Sequence, residues 1–223
     1  MQNELKTQAI VLRRTNYGEA DRILNLITPD GKVSVIAKGV RKTRSKLAGG
    51  VEMFSLVQLV IHRGKGELGV VTSAKMLCYY DKLVTDLQKM ELAAMILKKI
   101  SLAAESSDSP DYFRITNQSL KALNDGLDMR LVEGWFLLNL LKVSGEEVNV
   151  HRNVDGIKLD AGRRYAWNAN ERAFSVRDGG EFGADEIKLL RLMLTTDLMV
   201  VARVKGFGEM MPQILGMVRS YYI

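Results

Sequence analysis

Short apolar segments, separated by residues that favour turns, dominate the first 80 positions of the chain. They predict five strands, at residues 8–13, 23–28, 32–37, 56–62 and 68–73. Between the second and third segments, Pro29, Asp30 and Gly31 have the composition of a tight turn. Residues 63–66 separate the last two segments in the same way. Five strands in so short a stretch predict a small β-barrel.

The hydrophobic period changes after Tyr80 from that of strands to that of helices. Apolar side chains then recur every three or four residues, at Leu83, Leu87, Met90, Ala94 and Leu97, which predicts a single helix that continues to about Ala104. Further helices are expected at residues 111–124, 130–144, 184–194 and 212–222. Gly145 is expected to end the second of these helices, and Pro212 to begin the last.

Residues 148–182 interrupt the helical pattern with glycine, asparagine and short alternating runs at residues 165–167 and 173–176. This composition indicates a small β or irregular insertion. The sequence therefore predicts an α+β protein with two domains. A β-barrel occupies residues 1–80, and an α-helical domain with its insertion occupies residues 81–223.

Charge is distributed unevenly between these two domains. The 223 residues include 32 Lys+Arg and 26 Asp+Glu, and the hydrophobic fraction of 47% is that of a globular protein. Positions 1–80 contain 13 of the cations but only 6 of the acids, so the basic excess belongs to the predicted barrel. An excess of this kind favours a polyanionic partner such as a nucleic acid.

The basic residues are densest at residues 38–46, here called the basic segment. It contains Lys38, Arg41, Lys42, Arg44 and Lys46, and no acid occurs between Asp30 and Glu52. Cations at this density suit a phosphate backbone, although a solvated run of charges is the alternative. Arg13 and Arg22 are weaker candidates for the same surface. Tyr17 is a candidate platform on which a base could stack.

Sequence motifs for catalysis, cofactors and membranes are missing. The pattern G-x-G-x-x-G at residues 64–69 precedes a strand instead of a helix, so it predicts a hairpin turn and not a dinucleotide site. There is no nucleotide-binding P-loop, nucleophile elbow or H-E-x-x-H motif. Cys78, His62 and His151 are too few and too scattered for a zinc site. The longest apolar run, residues 132–143, is too short to span a bilayer. We therefore expect no catalytic residues, metal, cofactor or membrane partner.

The apolar helix predicted at residues 130–144 has two interpretations. Trp135 and Phe136 are typical of a buried core. Alternatively, they form the floor of a groove for a partner peptide, with Arg130 and Lys142 at its two ends to bind an acidic ligand.

Several runs in the first 80 residues resemble the bacterial RecO family of recombination mediators. They lie at residues 9–13, 17–22, 36–42, 45–49 and 63–68. The resemblance implies an N-terminal OB-fold, a helical domain and a late zinc-binding insertion. Where many members have paired C-x-x-C motifs, this chain has residues 153–156 and 179–185, which include no cysteine. We therefore expect a zinc-finger-like insertion that lacks cysteines and binds no metal.

The resemblance also implies a function. RecO-like proteins are non-catalytic DNA-repair proteins of the bacterial cytoplasm, associated with the nucleoid. They bind single- and double-stranded DNA, anneal complementary strands, and bind RecR and the C-terminal tail of the single-stranded DNA-binding protein SSB. Through these contacts they help RecA to load onto SSB-coated DNA, without ATP or another cofactor. From the residues alone, an RNA-binding OB-fold module and a protein adaptor remain alternatives.

Overall fold

The computed structural model describes residues 4–63, 68–107 and 109–222. Five strands open the chain: β1 (Glu4–Tyr17), β2 (Asp21–Thr28), β3 (Gly31–Ala37), β4 (Ser55–His62) and β5 (Gly69–Tyr79). They close into a barrel in the order β1-β2-β3-β5-β4, with every neighbouring pair antiparallel except β3 and β5. This five-stranded barrel confirms the predicted OB-fold, and the helices that follow it confirm the α+β class.

The barrel core is built by alternation along the strands. On β4, Val57, Leu59 and Ile61 are buried, whereas the residues between them are partly exposed. β1 and β5 extend well beyond the predicted segments because their backbones continue to pair after the alternating pattern fades into polar side chains. Most of the turn predicted at residues 63–66, and most of the glycine motif at residues 64–69, lie outside the described residues.

The single helix predicted after Tyr80 is wrong, because the chain forms two helices there. These are α1 (Asp81–Val84) and α2 (Leu87–Ala103), and Asp86 separates them by accepting a hydrogen bond from the backbone N–H of Lys89. An aspartate in this position begins a new helix. The buried face of α2 also differs from the predicted face, since Leu87 and Ala94 are exposed. Its buried residues are Leu92, Ala93, Ile96, Leu97 and Ile100.

The chain forms two compact units, Met1–Asn124 and Asp125–Ile223. The first contains the barrel, a 3-10 turn at Ala48–Gly50, α1, α2 and most of α3 (Pro110–Asp125). The second contains α4 (Met129–Val143), the hairpin β6 (Tyr165–Asn168) and β7 (Ala173–Val176), α5 (Ala184–Thr195), α6 (Leu198–Val201), α7 (Phe207–Arg219) and a 3-10 turn at Ser220–Tyr222. Across the described parts of the chain, no helix has the length and apolar character to cross a bilayer.

Two helix ends in the second unit test the sequence signals. Gly145 follows α4 with a φ of 82°, while the N–H of Glu146 donates to the Leu141 carbonyl, as expected of a glycine that ends a helix. Pro212, in contrast, does not begin α7 but lies inside it. The predicted start is wrong because the buried face of α7 already includes Met211, so packing extends the helix ahead of the proline.

Candidate nucleic-acid interface

The basic segment leaves β3 and runs against the loop that joins β1 to β2, residues 18–20. Three hydrogen bonds hold it there. The carboxylate of Asp21 accepts the backbone N–H of Gly39 at 2.7 Å. The Ala20 carbonyl accepts the backbone N–H of Arg41 at 2.9 Å, and the Gly18 carbonyl accepts a guanidinium N–H of Arg41 at 3.3 Å. The sequence predicted a loop at this position, and the structure adds the contacts that fix its backbone.

Local turns and one buried side chain complete the segment. The N–H of Lys42 donates to the Gly39 carbonyl and that of Ser45 donates to the Lys42 carbonyl, while the side chain of Val40 is buried in the barrel core. The side chains of all five cations are exposed, and within the described residues none of them forms an ion pair. The segment therefore presents a row of cations that no neighbouring carboxylate neutralises by direct contact.

The position of the basic segment in the fold agrees with its chemistry. OB-folds bind oligonucleotides on the face of strands 2 and 3 and on the loops that join strands 1–2 and 4–5. Here the segment lies beside the first of these loops, through its contacts with Gly18 and Ala20. The second loop includes the exposed Arg63, and residues 64–67 lie outside the part described.

The two weaker candidates, Arg13 and Arg22, lie on opposite faces of the barrel wall. Arg13 pairs with Asn25 across the strands and Arg22 pairs with Asn16, and side chains three positions apart on a strand point to opposite sides. Arg22 also donates to the amide oxygen of Asn16 at 3.3 Å. Arg13 instead shares its face with Tyr17, whose side chain is 56% exposed at the end of β1. Arg13 and Tyr17 thus extend one surface.

Asp21 is the residue of this site that sequence reasoning missed. The absence of acids between Asp30 and Glu52 suggested that no carboxylate lies near the basic segment, but the fold brings Asp21 to the N–H of Gly39. The signal that could have found it is the tight turn predicted between β2 and β3, because continuing that hairpin register brings Asp21 beside the first residues of the basic segment. The carboxylate orders the segment through a backbone bond and leaves the cationic side chains to solvent.

The peptide groove suggested on α4 does not form around the residues chosen for it. Trp135 and Phe136 are fully buried, so neither contributes to a surface. The indole N–H of Trp135 donates to the Thr196 carbonyl at 3.1 Å, and the ammonium of Lys142 donates to the Leu194 carbonyl at 2.9 Å. Both side chains satisfy carbonyl groups at the C-terminal end of α5, which a helix cannot satisfy internally.

Arg130 remains exposed at the first turn of α4 and is engaged by Asp128. Two guanidinium N–H groups of Arg130 donate to this carboxylate, at 2.6 and 3.2 Å. The side-chain hydrogen bond from Arg130 lowers the pKa of Asp128 below its usual value. Asp128 also caps α4 by accepting the backbone N–H of Arg130. A ligand of Arg130 would therefore have to compete with this internal partner.

The zinc site implied by the family resemblance does not fit the insertion. Nowhere in the described residues do three or more His, Cys, Asp or Glu side chains come together as a metal site would require. At the position of the first C-x-x-C motif, the amide oxygen of Asn153 accepts the backbone N–H groups of Asp155 and Ile157, at 3.1 and 2.8 Å. Hydrogen bonds to the amide oxygen of Asn153 thus shape the turn at this position.

The interior of the insertion is aromatic. The ring of Phe174 is fully buried and meets the rings of Trp167 and Phe182 edge-on, each at a centroid distance of 5.2 Å. The indole N–H of Trp167 donates to the hydroxyl of Ser220, and its ring lies 5.5 Å from Tyr221, whose pKa burial raises to about 12. Through Trp167, this cluster packs the β6–β7 hairpin against Ser220 and Tyr221 near the C-terminus.

Comparison with known proteins matches nearly the whole chain to one family. The family model described as "Recombination protein O N terminal" matches residues 1–80, and the one described as "Recombination protein O C terminal" matches residues 84–222.

Individual relatives agree with the family models. A DNA repair protein RecO from Dehalococcoides mccartyi is 29% identical over 233 residues, which cover 95% of this chain and 87% of the relative. A protein of the same name from Roseiflexus is 35% identical over 63% of this chain and 50% of the relative. One from Rubrobacter xylanophilus is 38% identical over 63% of this chain and 57% of the relative. In the last two alignments the matched part of this chain spans about half of the relative's length.

Proposed function

Since the chain belongs to the RecO family, we propose that it is a DNA-repair protein that binds single- and double-stranded DNA and anneals complementary strands. The binding is electrostatic, and the basic segment supplies its main contacts. Annealing follows because two strands repel each other through their phosphates, and cations that neutralise those phosphates lower the barrier to their approach. We propose no catalytic residue and no nucleotide cofactor for this activity.

The observation that carries this proposal is that the five cations of the basic segment are exposed and unpaired within the described residues. Their backbone is fixed beside the β1–β2 loop, and their side chains are exposed without an ion pair among the described residues. A cation that is already paired must exchange one carboxylate for a phosphate, whereas an unpaired cation gains the phosphate contact outright. Lys38, Arg41, Lys42, Arg44 and Lys46 therefore act on the phosphate backbone and do not read base sequence.

The salt dependence of binding tests the assignment. If about five cations contact a single strand, a plot of log K against log salt has a slope near −3.5, from about −0.7 for each contact. Changing Lys42 and Arg44 together to Glu should weaken binding to every sequence alike and reduce the slope to about −2.1 by the same rule. Fluorescence anisotropy of labelled oligonucleotides over a series of salt concentrations measures both quantities.

A matched control reverses the same amount of charge elsewhere. Arg203→Glu with Lys205→Glu changes two exposed cations of the second unit and should leave affinity and slope nearly unchanged. Equal losses in the two double variants would show that net charge alone matters and would sink the assignment to the basic segment. Binding is also compared between DNA and RNA oligonucleotides of the same sequence. Tighter binding to RNA would favour an RNA-binding module over a DNA-repair protein.

We further propose the partners that the family resemblance implies. The protein binds RecR and the acidic C-terminal tail of SSB, and it helps RecA to replace SSB on single strands in the bacterial cytoplasm. Burial of Trp135 and Phe136 removes the surface first considered for the SSB tail, so the tail is expected to dock elsewhere on the chain. The near-neutral charge of residues 81–223 suits protein contacts better than DNA contacts.

A further inference from the structure

A groove of about 410 Å³ opens on the first unit between the outer face of β1 and β2 and the helix α2. Leu12, Met53 and Leu97 line its apolar part, and Leu102, which is 58% exposed, stands at its side. All of its lining residues belong to the first compact unit. The groove is a separate feature from the basic segment, and nothing in the proposed phosphate contacts uses it.

Two cations stand at the edge of this groove, here called the α2 groove. Arg13 on β1 and Lys98 on α2 are both exposed, and neither forms an ion pair within the described residues. The one acid among the lining residues, Glu105, is held by the ammonium of Lys32 at 3.0 Å. The uncompensated charge of the α2 groove is therefore positive, which favours a ligand that combines an apolar body with negative charge.

A neutral polar group lies among the same lining residues. The hydroxyl of Ser34 donates to the amide oxygen of Asn25 at 3.1 Å, so the N–H groups of that amide are left to donate to a ligand. Amide donors of this kind pair with the acceptor atoms on the edges of nucleobases. The planar guanidinium of Arg13 also offers a surface on which a base stacks.

We propose that the α2 groove receives a nucleobase of the same single strand whose phosphates lie on the basic segment. The inference rests on the proposed DNA binding and adds a site for the base. Arg13 and Tyr17 are four positions apart on one face of β1, hence roughly 14 Å apart. Tyr17 pairs with Asp21 across the strands, and Asp21 accepts the backbone N–H of Gly39 in the basic segment. This separation corresponds to about four stacked nucleotides of one strand.

The positive charge and apolar floor of the groove suit either a nucleotide or an acidic peptide, but its position beside the basic segment favours the nucleotide. Arg13 and Tyr17 lie on the same face of β1, with Arg13 at the groove and Tyr17 near the basic segment. One bound strand therefore contacts both sites while it stays on the barrel surface. Bases of an intact duplex are stacked and paired, whereas those of a single strand are free to enter a pocket. The groove thus gives the barrel a preference for single strands that phosphate contacts alone do not supply.

Filling the groove tests the proposal. Ala94 is an exposed residue of α2 that lines it, so Ala94→Trp blocks the space without disturbing the core. We expect this variant to bind a 20-nucleotide single strand about tenfold more weakly, the loss of one stacked base. Its affinity for a duplex of equal length, its affinity for an abasic strand and its salt slope should all stay unchanged. Leu87→Trp, at an exposed position of α2 outside the groove lining, is the matched control and should bind as the unaltered protein does.

The outcomes separate this inference from the proposed function. If the unaltered protein binds neither single strands nor duplexes, the proposed function fails. If it binds single strands and Ala94→Trp binds them equally well, only the groove assignment is overturned. A loss of affinity confined to an acidic peptide that ends in phenylalanine would overturn it too, since the groove would then be a peptide site. Leu102→Asp, at another exposed lining position, should weaken single-strand binding in the same direction.

Discussion

Asn139 joins two helices of the second unit from a buried position on α4. Its amide nitrogen donates to the Met193 carbonyl at 3.0 Å and to the Trp135 carbonyl at 2.9 Å. Together with Trp135 and Lys142, it supplies the hydrogen bonds that the last carbonyl groups of α5 lack. A buried carbonyl without a donor is costly, so these three side chains decide how α5 ends against α4.

Replacement of Asn139 by leucine should therefore lower the free energy of unfolding by about 1–3 kcal/mol, because the Met193 carbonyl stays buried without a partner. Both tryptophans of the chain, Trp135 and Trp167, lie in the second unit, so urea denaturation followed by tryptophan fluorescence reports on this unit. Asn170→Leu changes an exposed residue in the same way and should have little effect. If both variants unfold like the unaltered protein, the hydrogen bonds of Asn139 do not stabilise α5.

At this scale the sequence predicts residue types better than residue roles. The density of cations in the basic segment is visible at once, because charge does not depend on the fold. An apolar helix with charged ends favours a buried core, which the structure shows for Trp135, but the sequence does not reveal which carbonyl groups Trp135 and Lys142 bind. The approach of α5 supplies them, and that contact joins positions more than 50 residues apart.

Among the elements, the insertion differs most from what the family resemblance implies, which is a zinc-binding module with paired C-x-x-C motifs. Asn153 orders the first turn through its amide, and Phe174 fills the interior with Trp167 and Phe182 around it. Buried aromatic side chains contribute large apolar areas and favourable edge-to-face contacts to a core. The hairpin therefore has its own core, and we expect it to fold without a metal.

The purified protein should accordingly contain no stoichiometric zinc, and a chelator should leave its thermal unfolding unchanged, because no metal binding is coupled to folding. One zinc ion per chain by elemental analysis would refute this account.

Phe174→Ala should instead destabilise the second unit by about 3–5 kcal/mol, the usual cost of removing a buried phenylalanine. Val176→Ala, at an exposed position of the same hairpin, is the control.

Elements were predictable where one pattern dominates and not where two signals meet. The strands were found from alternation, but their full lengths depend on backbone pairing that polar residues conceal. The helix after Tyr80 was expected to be continuous because its apolar spacing is unbroken, yet a single cap at Asp86 divides it. Pro212 predicted the start of a helix, but the helix begins earlier because Met211 is part of its buried face.

On the scale of the whole molecule, the basic excess and the near-neutral remainder fall on different parts of the chain. This asymmetry suits a protein that holds DNA with its barrel and other proteins with its helices. Its cations work at short range under physiological salt, since free charges are screened within about 8 Å. A second, protein-mediated contact would keep the barrel near DNA that is already coated by another protein.

Annealing of coated strands tests this division of labour. Complementary oligonucleotides covered with SSB should anneal faster in the presence of the protein, without ATP, and the rate should fall when the SSB tail is deleted. The reason is that tethering through the tail raises the local concentration of the protein at coated DNA. Equal rates with full-length and tail-deleted SSB would contradict tail docking, and no acceleration on either coated or naked strands would favour an adaptor without annealing activity.

The closure of the barrel at β3 and β5 depends on one small residue. Where β3 meets β5, the described residues pair at Val35–Gly69 and Ile36–Val70, so the joint is short. A Cβ atom at position 69 would lie 2.6 Å from Cγ2 of Ile61 and would act as a wedge. A barrel forced open there would present two unpaired strand edges, which are templates for pairing with other chains. The absence of a side chain at position 69 thus leaves room for β3 and β5 to pair and keeps both strand edges covered.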